Sequence, residues 1–144
     1  MRIIQVILIV SLTLVSFNKI SAEDIPILVI SPSKTPQSVS TVGTSVTVLN
    51  EKDLENSNRS FLGESLNKSV TGLNLFQTGG PGTQMGIQLR GLPKAYTTVY
   101  VDGVKKSDAT TPKNDFYFDD ILTGQVSRVE ILKGNQSSIY GSGA

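Results

Sequence analysis

From Arg128 the chain reads R-V-E-I-L-K-G-N-Q-S-S-I-Y-G-S-G-A, and no other stretch limits the possible fold as strongly. Side chains alternate along extended backbone, so Val126, Arg128, Glu130 and Leu132 fall on one face and Ser127, Val129, Ile131 and Lys133 on the other. Charge therefore sits on both faces. The apolar residues are β-branched or long, the run is short and Gly134 closes it, which predicts a strand ending in a turn. Gly141 and Gly143 then flank Ser142, where the backbone must bend tightly or lie close to another surface.

Upstream, short apolar segments alternate with turn residues. Val46 and Val48 alternate with Thr47 and Leu49 as in a short strand, and Asn50 with Asp53 and Leu54 predicts a short capped helix directly after it. Ser60 is placed to cap a second helix with Phe61, Leu62, Ser65, Leu66 and Val70 as a core-facing stripe, stopped at Gly72. Leu73 to Gln77 and Met85 to Arg90 read as strands joined by the loop Gly79-Gly80-Pro81-Gly82. That loop lacks the Lys-Ser/Thr of a P-loop and is not a G-x-G-x-x-G before a helix, so it joins strands and does not bind phosphate. Tyr96 to Val101 reads as a strand buried on both faces, with Asp102-Gly103 as its turn. The polar run Lys105 to Asp115 is a surface loop, followed by F-Y-F-D-D-I-L.

The N-terminus carries a different signal. Met1 and Arg2 precede a mostly apolar run from Ile3 to Val15, and Ile20-Ser21-Ala22 ends in small residues, which predicts a secretory signal peptide over residues 1–22. The apolar run falls short of the roughly 20 residues that a bilayer core requires. Removing Arg2 and Lys19 from the 13 basic residues leaves the remainder one short of its 12 acidic ones, so no basic surface points to nucleic acid. Residues 23–36 hold three prolines around the five-residue apolar core Ile27 to Ser31. Such a segment suits either a first strand of the domain or a strand added to a partner's sheet edge.

Chemistry is thinly represented. With no cysteine and no histidine, thiolate metal sites, the commonest zinc ligand and the usual general base are all missing. Adjacent Asp119 and Asp120 make a poor acid/base pair, and Asp108, Asp115, Asp119 and Asp120 do not have the spacing of an EF-hand calcium loop. We assign no catalytic residue, cofactor or metal. Isolated charges such as Arg90, Arg128, Glu130 and Lys133 read locally as solvated ion pairs of small energetic value.

Four segments in order resemble the plug domain of TonB-dependent outer-membrane receptors: Leu28-Val29-Ile30-Ser31, Ile87-Gln88-Leu89-Arg90-Gly91, Val99-Tyr100-Val101-Asp102-Gly103-Val104, and the stretch from Arg128 to Ala144. The last is similar to the family's R-V-E-x-L-x-G-P-x-S-x-x-Y-G-S-x-A, with Asn135 where proline is usual; Leu122 likewise replaces a frequent proline. The resemblance implies an α+β plug over residues 37–144, with a mixed sheet of about four strands and short helices, lodged in a barrel of about 22 strands. Such a barrel needs on the order of 220 residues and would follow Ala144. It further implies that Leu28, Val29, Ile30 and Ser31 form the box that pairs with TonB, and that Arg90, Arg128 and Glu130 face the barrel wall. Substrate of the cobalamin or iron-siderophore class would meet Gly80, Gly82, Gln84, Lys94, Tyr96, Lys105 and Asp108, at the outer membrane of a Gram-negative bacterium. Two other classes are a free-standing periplasmic ligand-binding plug and a secreted enzyme. For the enzyme, Ser142 between glycines is the one nucleophile-like feature, without a histidine or a strand-to-helix elbow.

Overall fold

A computed structural model describes residues 27–30, 32–111, 115–141 and 144. The expected signal peptide (1–22), Ser31 of the box and Ser142 lie outside the described residues.

The longest pairing joins the two ends of the domain. Strand β3 (Ser45–Asn50) runs antiparallel to β8 (Arg128–Lys133), with Ser45 opposite Lys133 and Asn50 opposite Arg128. The closing stretch is thus a strand as expected, and Gly134 ends it. Three further antiparallel ribbons are local: β1 (Leu28–Val29) with β2 (Gln37–Ser38), β4 (Leu73–Gln77) with β5 (Met85–Leu89), and β6 (Val99–Val101) with β7 (Val104–Lys106). Among the described residues the strands therefore form four antiparallel two-stranded ribbons and no mixed sheet. For the three local ribbons the physical reason is loop length: a parallel pair needs a crossover of a dozen or more residues, whereas these strands are joined by short connections that bring the next one straight back; β3 and β8 instead pair across the whole domain.

Helix α1 (Glu51–Asn56) follows β3 without a loop, because Asn50 is extended and its N–H donates to the Asp53 carboxylate at 3.0 Å. Helix α2 (Leu62–Ser69) buries Leu62, Gly63, Ser65 and Leu66. Its N-cap is Phe61 and not Ser60. The Leu62 N–H is satisfied by the Ile121 carbonyl at 2.9 Å, so a bridge to residues 121–122 replaces a side-chain cap. Gly72 turns the chain out of this region at φ +78°. A last short helix, α3 (Ser137–Tyr140), follows β8.

Leu49, Leu54, Leu62, Leu66, Val70, Leu73, Met85, Ile87, Phe118 and Ile131 make one core between the two helices, β4–β5 and β3–β8. A Cβ on Gly63 would collide with the Met85 sulfur and come within 3.2 Å of Leu75, so glycine is what lets α2 lie against β4–β5. The buried serine hydroxyls are satisfied within the fold: Ser65 donates to Ser57 at 2.8 Å and Ser57 to the Leu54 carbonyl at 2.6 Å.

Tyr96 to Val101 departs from the doubly buried strand expected. Lys94–Tyr96 is a 3-10 turn, Tyr96 is 61% exposed, and β6 keeps only Val99 partly covered. The β-branched run describes a ribbon edge here and not a sheet interior. Asp102 and Gly103, both at positive φ, make the expected tight turn to β7.

Candidate functional site

Two regions gather the residues singled out by sequence. The first is the N-terminal segment. Leu28 pairs with Ser38 and Val29 with Gln37, and Val29 is fully buried. The Ile30 N–H donates to the Glu130 carboxylate, 3.1 Å from Oε2 and 3.4 Å from Oε1. Arg128 Nε donates to the same carboxylate at 3.0 Å. The Ile30 side chain itself is exposed. Lys34, in the turn between β1 and β2 at φ +60°, places its ammonium 5.3 Å from the ring centre of Tyr140, and that ring lies tilted on Tyr100 at 5.0 Å. The segment read as a partner-binding strand is therefore folded back on its own domain.

The second region is a cavity of about 450 Å³ lined by Gln84, Ser107, Asp108, Phe116, Tyr117, Asp119 and Asp120. The loop after β4 reaches it through Gln84. That loop is shaped by the Gly80 carbonyl, which accepts from Gln77 Nε2 at 2.7 Å and Thr83 Oγ1 at 2.8 Å, while Gly82 adopts φ +80° beside Phe61. Asp108 accepts from the Thr110 hydroxyl at 2.6 Å and the Thr110 N–H at 2.8 Å. These two bonds favour the carboxylate and hold its pKa below the ordinary aspartate value. Next to the cavity, Lys94 lies 3.1 Å from Asp115 Oδ2, donates to the Tyr117 hydroxyl and sits over the Tyr117 ring. The bond to Tyr117 raises the Lys94 pKa, burial opposes it, and Asp115 adds to the rise.

Of the seven residues expected to meet substrate, Gln84 and Asp108 line this cavity and Lys94 braces its Tyr117 wall. Gly80, Gly82, Tyr96 and Lys105 are exposed but line neither this cavity nor a second, smaller hollow beside α1. Tyr117 was not singled out by sequence, and Asp115 was weighed only among possible calcium ligands. The signal for Asp115 was weak: it stands in a polar run, yet it is buried, with its carbonyl accepting the Asp108 N–H at 2.8 Å. Among the described residues no group of three or more acidic side chains is placed to hold a metal ion, and Asp115 is engaged by Lys94. Arg128 and Glu130, expected at a barrel wall, are paired with each other in this chain, and Arg90 occupies an exposed turn at φ +53°.

No described helix is long and apolar enough to cross a membrane. The family model described as TonB-dependent Receptor Plug Domain matches residues 33–144. Among curated relatives, the chain is 30% identical over 117 residues to the "Vitamin B12 transporter BtuB" of Vibrio vulnificus (strain CMCP6), covering 81% of this chain and 19% of that protein. It is 29% identical over the same length to the protein of that name from Vibrio cholerae serotype O1 (strain M66-2), with the same coverage. The chain thus spans about a fifth of the length of the curated relatives it matches.

Proposed function

The chain belongs to the TonB-dependent receptor plug family, a receptor family and not an enzyme family, and from that membership we propose that it is the plug of an outer-membrane receptor for energy-coupled uptake of cobalamin or an iron-siderophore. Residues 1–22 direct export, 23–36 carry the TonB-pairing segment, and the domain that follows closes a barrel. Substrate arrives from outside at the cavity lined by Gln84, Asp108 and Tyr117, and Gly80, Gly82, Lys94, Tyr96 and Lys105 supply further contacts. TonB takes up Leu28, Val29, Ile30 and Ser31 by strand addition, in which backbone bonds supply affinity. Work drawn through TonB then rearranges the plug. For binding at one site to favour exposure of the other, substrate must bind the two plug states with different affinity.

The observation that carries this reading is the strand Leu28–Val29 standing just ahead of the matched domain, at the point where a partner would draw on it. The relatives' printed name favours cobalamin. Uncovered apolar side chains such as Phe76 and Val104 give a barrel wall a surface to cover.

A chimera tests the proposal. Residues 27–144 replace the corresponding plug in the V. vulnificus transporter, and uptake of labelled cobalamin is followed in cells. Uptake that is lost with Val29→Pro, while cobalamin binding at the cell surface is kept, supports the reading. A chimera present in the outer membrane whose uptake is indifferent to Val29→Pro removes it. Cobalamin binding by the free chain with no uptake in the chimera would favour a free-standing binding module.

A further inference from the structure

Resting on the TonB-pairing reading of residues 28–31, we infer that Glu130 is a latch that holds β1 in a self-paired state, so that the β1–β2 ribbon must open before a partner strand can form. Strand addition needs a free backbone edge and side chains that can be reached. Neither is present. Along extended chain, successive N–H and C=O groups face opposite edges. One edge of β1 is used by Gln37 and Ser38, and the Val39 N–H closes that side on the Ile27 carbonyl at 3.0 Å. On the other edge the Ile30 N–H is held by Glu130, whose side chain is only 10% exposed. Val29, the middle of the segment, has no exposed surface.

The latch has a second, weaker point at the Lys34 ammonium over the Tyr140 ring. Both points lie on the closing stretch of the chain, in β8 and in the helix directly after it. Arg128 orients the carboxylate that does the holding, so the R-V-E segment serves the N-terminal strand as well as its own ribbon with β3. Glu130 acts here as a positioning residue: it sets how often β1 is available, not what β1 recognises.

Val29 is the natural reporter, because the chain has no cysteine and a single thiol placed there is unambiguous. The rate of thiol alkylation of Val29→Cys is measured in the 144-residue chain, with Ile27→Cys as the exposed control. Latching predicts slow labelling of Cys at 29. Adding Glu130→Ala should raise that rate about 10- to 100-fold, the span for a hydrogen bond to a charged group. Adding Lys34→Ala, an exposed residue whose loss leaves β8 untouched, should raise it about 2- to 5-fold. Should Glu130→Ala lose the circular-dichroism signal of the fold, Glu130→Gln replaces it, with a rise smaller than for a full loss of the acceptor.

The partner is then added as the purified periplasmic domain of TonB. A segment that binds only when open gains apparent affinity in proportion to its open fraction, so its Kd should fall by the factor by which labelling rises. Labelling at 29 as fast as at 27, or unchanged by both Glu130→Ala and Lys34→Ala, overturns the latch even if TonB binds. Labelling that rises as stated with no TonB binding in any variant leaves the latch standing and removes the TonB reading.

Discussion

Gly63 and Lys94 show how single side chains set this domain's tolerances. A methyl at position 63 meets Met85 and Leu75 head on, so Gly63→Ala should destabilise the domain by about 1–3 kcal/mol in urea titration, the usual cost of overpacking. Met85→Ala in the same background should recover part of the loss by making room. Lys94 compensates the buried carboxylate of Asp115. Lys94→Met should cost about 1–3 kcal/mol, because it strands that carboxylate, and Asp115→Asn should relieve much of the defect. The pH dependence has a definite sign. The folded pKa of Lys94 is raised above the ordinary 10.5, so its contribution is complete below that value and is lost as pH climbs through the raised one. Wild type and Lys94→Met should therefore converge in stability only in strong alkali. Asp108 has the opposite sense: its lowered pKa means that the order of residues 108–111 is lost only as pH falls below the ordinary 3.8, read by amide exchange at Thr110.

Among the elements, those governed by neighbours in sequence could be read before any coordinates. Asn50 and Asp53 announced α1, and Asp53→Ala should cost about 1 kcal/mol by chemical denaturation, since it leaves the Asn50 N–H without its acceptor. The ribbon β4–β5 was legible from alternation and from Gly79 to Gly82, and Asp102-Gly103 marked the turn after β6; β7 was not legible, because Lys105 and Lys106 open a polar run that reads as loop. What escaped was set by distant partners. Phe61 caps α2 because residues 121–122 lie against it, a contact no local pattern encodes. The burial of Asp115 depends on Lys94, on the far side of β6–β7. The sheet was misjudged because alternation identifies strands and says nothing of which neighbour each one takes. For the candidate sites, Gln84 and Asp108, named from the family pattern, fall on the cavity wall, whereas Tyr117 looked like an ordinary aromatic in an apolar run.

At the scale of the molecule, the α+β class and family were visible in four short motifs. How the N-terminal strand rests on the domain was not, because a backbone N–H meeting the carboxylate of Glu130 leaves no trace in sequence. The pairing of β3 with β8 also governs how the domain comes into being. The other ribbons close over short turns, so they can form early and at small entropic cost; β3 must wait for the last strand of the domain. A transition state that already contains this long-range closure is expected to limit the folding rate, as non-local contacts generally do. Truncating Leu132 to Ala should then mainly slow refolding, and truncating Leu75 should mainly speed unfolding, which stopped-flow chevrons distinguish. A nascent chain that has not yet produced residues 128–133 lacks Ile131 and the partner of β3, so its core is open on that side. The final strand is thus the clock of the molecule: its arrival is the step that shuts the domain.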